Sequence, residues 1–121
     1  MAWRSRFWWI PFGSVPEISP NELHTKLGGD PVPYILDVRT HREWVSSRIE
    51  GAVNIPITSF RTDLKSLGLE TGRPVIAICL SAHRSIPAVR ALRAAGFVDA
   101  RQLQGGMFAW WKAGLPVVEG P

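Results

Sequence analysis

The sequence predicts an α/β fold: a doubly wound parallel sheet with helices on both faces. Three observations carry this expectation. Strand signals and helix signals alternate from residue 19 onward, and such alternation implies parallel strands joined by right-handed crossovers. Val75–Ile78 is apolar without alternation, which suits a central strand covered on both faces. Two capping boxes, Ser19 with Glu22 and Thr40 with Glu43, mark helix starts at the expected rhythm.

The elements follow in order. "ISPNELHTKLGG" opens a helix with Ser19 as cap, Pro20 in the first turn and Gly28 as stop. "VPYILDV" is a strand, buried over Tyr34-Ile35-Leu36. "THRE" starts a short helix over Trp44 and Val45, with Trp44 in the core. "GAVNIP" is a short strand ended by Pro56. "TSFRTDLKSLGL" is a helix with Phe60, Leu64 and Leu67 on one face. "RPVIAIC" is the strongest strand. "SIPAVRALRAAG" is a helix beginning near Arg84 or Ser85, because Pro87 is tolerated only in a first turn, and Gly96 stops it. "ARQLQ" is the last strand and "GGMFAWWKAG" the last helix.

The 121 residues suffice for one domain with its own core. A net charge of +4 suits an anionic substrate or an acidic partner. The cations are scattered, and no nucleic-acid motif occurs, so no nucleic-acid partner is expected. One cysteine forbids an intramolecular disulfide and a multi-cysteine zinc site. Neither a metal nor a cofactor is expected, and a cytoplasmic setting is. Residues 1–14 form an aromatic and basic arm, ahead of a domain over 15–121. The arm holds Arg4, Arg6, Trp3, Phe7, Trp8, Trp9, Ile10 and Phe12. It reads either as a weak peripheral membrane contact or as a segment packed on the domain.

The chemistry points to "CLSAHRS". A strand ends at Cys79 and a helix begins within about a turn. The amides between them lack helical partners. Curled around the sulfur, they make a cradle for negative charge, reinforced by the helix dipole. Arg84 and His83 add positive charge, so a thiolate is expected at neutral pH. The competing reading is a small buried apolar residue at a strand end. Cysteine phosphatases place five residues between cysteine and arginine. Here four intervene: Leu80, Ser81, Ala82 and His83. The tighter ring suits a single sulfur on the cysteine better than a tetrahedral phosphate.

Four motifs in order resemble the single-domain rhodanese-like sulfurtransferases: "ILDVRTHREW", "IEGAVNIPI", "CLSAHRS" and "LQGGMFAWWKAGLPV". The resemblance runs from "ISPNEL" to "AGLPV". It implies five parallel strands and a thiosulfate sulfurtransferase-like activity. Cys79 would attack the outer sulfur of thiosulfate or a persulfide donor, hold it as a persulfide, and pass it to cyanide, a thiol or a protein acceptor. Arg84 and the amides of Leu80, Ser81, Ala82, His83 and Ser85 would bind the donor. Two departures stand out. Ala82 occupies a position where the family often has glycine, which is strained if that residue needs positive φ. "SRIEGA" replaces a "GHIPGA"-like motif, with Arg48 and Glu50 read as solvated charges.

Asp37 and Cys79 both sit at strand ends on one side of the sheet and are expected to approach the same crevice. Asp37 therefore either orients Arg84 or accepts from loop amides, or else it is a turn aspartate. Arg39 either lines the crevice or faces solvent. Glu43 is the capping partner of Thr40. His24, His41 and His83 are surface residues, Trp110 is core, and Trp111 faces another way. Two alternatives remain beside the enzyme: a sulfur-carrier or interaction module using the same cysteine, and a phosphatase-like or arsenate-reducing relative disfavoured by loop length.

Overall fold

The computed structural model describes residues 15–121. The arm over 1–14, and every expectation placed on it, lies outside them. Five strands alternate with helices: β1 (Glu17–Ile18), α1 (Pro20–Leu27), β2 (Tyr34–Asp37), α2 (His41–Ser46), β3 (Val53–Asn54), a 3-10 turn (Ile57–Ser59), α3 (Phe60–Leu67), β4 (Val75–Ile78), α4 (Ser85–Ala94), β5 (Ala100–Leu103) and α5 (Gly106–Lys112). The strands form one parallel sheet in the order β1-β5-β4-β2-β3. No helix among the described residues is long and apolar enough to cross a membrane.

β4 is the central strand, and all four of its residues are buried, as its unbroken apolar run requires. Val75, Ala77 and Cys79 join one core cluster with Phe60 and Leu64 of α3 and Ala88, Val89 and Leu92 of α4. Ile76 and Ile78 join the opposite cluster with Leu23 of α1 and Met107 and Trp110 of α5. Helices therefore cover both faces. The chain steps outward from β2 to β3, then returns to the other side of β2 for β4. That reversal opens a crevice at the carboxyl ends of β2 and β4, where Asp37 and Cys79 stand.

Several expectations need correction. β1 was not foreseen: it is two residues long and exists by pairing with β5. Leu67 is 38% exposed, because it is the last helical residue before the left-handed Gly68. Trp44 is half-buried rather than core, and its indole N–H donates to the Ala52 carbonyl at 3.0 Å. Arg48 is not a free surface charge. Its guanidinium lies 3.9 Å from the Trp44 ring centroid and donates to the carbonyls of Trp44 and Gly120.

Candidate active site

Cys79 follows the last residue of β4 and is 1% exposed. The chain from Leu80 to Arg84 then loops before α4 starts at Ser85. The Ala82 N–H donates to Cys79 Sγ at 2.7 Å. That bond requires the chain to curl back on the sulfur, and Ala82 takes φ 93 to do so, as the only non-glycine residue with positive φ among those described. The strain expected of alanine at this position is present. Ser81 and His83 are exposed at the loop tip, where Ser81 Oγ lies 3.1 Å from His83 Nδ1.

The loop's carbonyls are held from behind. Met107 N donates to the Cys79 carbonyl at 2.9 Å and Phe108 N to that of Leu80 at 3.0 Å. These are first-turn amides of α5, which have no partner within the helix. The approach is close enough to demand glycine. A Cβ on Gly106 would lie 2.5 Å from the Cys79 carbonyl oxygen, and one on Gly105 would lie 2.6 Å from the Ala109 Cβ. Both glycines have positive φ. Gly106 is thus a packing requirement of the cysteine loop, and Gly105 one of α5 itself.

Arg84 closes the loop, but its guanidinium is occupied. Its two terminal nitrogens donate to the two oxygens of Glu43 at 2.7 and 3.0 Å. Glu43 also keeps its capping role, accepting from Thr40 N at 2.9 Å while its own N–H donates to Thr40 Oγ1. The Arg84 bond, helped by the Thr40 contacts, holds the Glu43 carboxyl down at about 2, against the opposing effect of partial burial. Glu43 reciprocally raises the pKa of Arg84. Sequence reasoning recognised Glu43 only as a cap, since the arginine it grips is 41 positions away.

Asp37 and Arg39 correct two expectations together. Asp37 is not the hydrogen-bond partner of Arg84, and Arg39 neither faces solvent nor lines an open crevice. Both are 1% exposed. Arg39 Nε and one terminal nitrogen donate to the Asp37 carboxylate at 2.9 and 2.7 Å, and that nitrogen also donates to the Ser47 carbonyl at 2.6 Å. Asp37 further accepts from its own turn, at the Arg39 N–H. The pair ties the carboxyl end of β2 to the end of α2.

Ser85 lies deeper than a loop residue. It is fully buried, with Oγ 3.4 Å from Cys79 Sγ and 2.6 Å from Gln102 Oε1. Gln102 on β5 was not singled out in the sequence. Its position on the strand facing β4 is a matter of sheet order, which no local signal carries.

Fold and loop define a class: α/β domains in which the central strand delivers one thiol into an amide loop at the switch point. Comparison with known proteins identifies the family within it. Residues 19–113 match the rhodanese-like domain, and the chain belongs to that family of sulfurtransferases and sulfur carriers. It is 35% identical over 99 residues to the probable adenylyltransferase/sulfurtransferase MoeZ of Mycobacterium tuberculosis, covering 82% of this chain and 25% of that protein. It is 29% identical over 104 residues to a sulfurtransferase of Allochromatium vinosum, covering 86% of this chain and 95% of the other. A rhodanese-related protein from Thermoplasma volcanium superposes with a TM-score of 0.76 at 30% identity, covering 86% of this chain and 98% of that one. Several relatives are longer, and the chain spans 55%, 38% and 25% of three of them.

Proposed function

We propose that this domain is a thiosulfate sulfurtransferase-like enzyme that transfers sulfane sulfur through a persulfide on Cys79. The Cys79 thiolate attacks the outer sulfur of thiosulfate. The S–S bond of the donor breaks and sulfite leaves with the electron pair, so Cys79 carries an S–S⁻ group. Attack by cyanide or a thiol on the outer sulfur then releases thiocyanate or a new persulfide and restores the Cys79 thiolate. A persulfide donor enters by the same step and leaves as a thiolate. The observation that supports this reading is the Ala82 N–H directed at Sγ, inside a loop of six residues from Cys79 to Arg84. Amides of Leu80, Ser81, Ala82, His83 and Ser85 are the proposed binders of the donor. Arg84 is the proposed partner of its sulfonate, in competition with Glu43. A reducing, cytoplasmic setting suits a free active thiol.

The test is intact mass after incubation with thiosulfate. A gain of one sulfur, lost on adding cyanide and absent in Cys79→Ala, is the expected result. An unmodified wild-type protein would sink the reading. Aryl phosphatase activity would contradict the argument from loop length.

A second reading is a sulfur-carrier or interaction module that accepts sulfur from, or gives it to, a protein. It is favoured by the rim of the loop. Phe108 is 55% exposed directly beside Leu80, to whose carbonyl its N–H is bonded, and Trp111 packs edge-on against Phe108. Slow cyanide turnover together with rapid loading from a protein persulfide would select this reading.

A further inference from the structure

Among the described residues, Cys79 has one side-chain hydrogen-bond partner, Ser85, and that partner belongs to a chain of side chains. Ser85 Oγ lies 3.4 Å from Cys79 Sγ and 2.6 Å from Gln102 Oε1. Gln102 Nε2 lies 2.9 Å from Glu17 Oε2. Ser85 and Gln102 are 0% and 3% exposed, while Glu17 sits on the exposed edge strand. The chain therefore runs from the thiol through α4 and β5 to β1.

Donor counting fixes its direction. An ionised carboxylate only accepts, so Gln102 turns its Nε2 to Glu17. Its Oε1 then faces Ser85. The serine hydroxyl has one proton, and the proton goes to Oε1. What remains toward Cys79 Sγ is a lone pair. We propose that Glu17 and Gln102 are positioning residues that hold Ser85 as a hydrogen-bond acceptor against Cys79. Toward Sγ, Ser85 then presents a lone pair and no proton, which opposes negative charge on that sulfur while the Ala82 N–H favours it. A persulfide carries its charge one atom further out, on the outer sulfur, and escapes that opposition. The chain thus biases Cys79 toward its sulfur-loaded form, an inference that rests on Cys79 being the sulfur acceptor. Other charged groups act on the same crevice: Arg84, which feels both Cys79 and Asp37, and the Glu43 that holds it, together with Arg39 paired to Asp37.

The experiment is the rate of iodoacetamide alkylation of the folded full chain at fixed pH and across a pH series. Glu17→Lys replaces an acceptor with a donor, so the Gln102 amide turns over and Ser85 is left to donate to Sγ. Glu22→Lys, on the exposed face of α1, is the matched charge reversal. Glu17→Lys is expected to alkylate about threefold faster or more at neutral pH, through a larger thiolate fraction, with Glu22→Lys near wild type. Gln102→Met removes the acceptor of the Ser85 proton and is expected to shift the rate the same way. Equal acceleration by the two charge reversals, an unchanged Glu17→Lys, or a slower Gln102→Met overturns the proposal. So does a lowered melting temperature with unaltered alkylation, the signature of a purely structural role. If wild-type protein takes no sulfur from thiosulfate while the alkylation rates order as stated, the proton assignment stands and sulfur acceptance falls.

Discussion

Two arginine–carboxylate pairs stand at neighbouring strand ends of this sheet, and they differ in their access to water. Asp37–Arg39 is sealed, with both side chains 1% exposed. Arg84–Glu43 is bidentate too, yet its side chains are 34% and 28% exposed. In the sealed pair, further bonds to the Ser47 carbonyl and from the Arg39 N–H add to those that join the two side chains. Its partners are fixed, and it serves the fold. The Arg84–Glu43 pair has water within reach, so an anion can compete for the guanidinium. The same two functional groups thus form a buried strut in one place and a partly hydrated pair in the other.

The comparison breaks first at Asp37. Asp37→Ala leaves a buried guanidinium without its counter-charge and should destabilise the domain by about 3–5 kcal/mol, read from denaturant midpoints at constant m. A loss below about 1 kcal/mol, the range of exposed pairs, would erase the distinction. Glu43→Gln should cost at most about 1 kcal/mol of stability, because the pair is partly hydrated. It should also raise thiosulfate-dependent sulfur loading several-fold, at roughly the level one lost competing ion pair allows. Slower loading in Glu43→Gln would show that the carboxylate orients Arg84 productively rather than competing with the donor.

Two smaller effects sharpen the contrast. Ala82→Gly relieves the left-handed backbone and should stabilise the fold by up to about 1 kcal/mol, with Cys79 still loaded by thiosulfate. A loss of stability would mean that the alanine methyl packs better than its backbone suffers. In acid, Glu43 follows its lowered pKa. Because the folded value lies below the usual 4.5, the pair's contribution is full above about 4.5 and fades as pH falls toward about 2. Comparing wild type with Glu43→Gln across that window should show the gap closing as pH drops. A constant gap would move the stabilisation elsewhere.

Local physics was legible in the sequence. The unbroken apolar run of β4, the Thr40–Glu43 cap and the start of α4 near Pro87 each depend on residues within a few positions of one another, whereas the misplaced methyl of Ala82 was legible only through the family resemblance. The site was legible as far as the spacing of Cys79 and Arg84 reached. What stayed hidden depends on partners brought together by the sheet. β1 carries no run of its own. Arg39 was read from the habit of arginines to stay in water, although the acid two residues before it supplied what burial needs. Glu43 spent its visible signal on Thr40, and its grip on Arg84 spans the crevice. The Ser85–Gln102–Glu17 chain joins a helix and two strands that are adjacent only once the sheet order is known.

The hold of α5 on the cysteine loop has a consequence in time. Carbonyls of Cys79 and Leu80 are tethered by amides of Met107 and Phe108, and no residue larger than glycine fits at 106. On the ribosome the chain is made from its N-terminus at roughly 5–20 residues per second. The thiol is therefore polymerised before the helix that shapes its cage. Until that helix docks, Cys79 lacks the backbone support that sets its surroundings. Shaping of the cysteine loop is bound to completion of the fold, and a nascent chain stalled before Gly105 would carry the cysteine without this clamp.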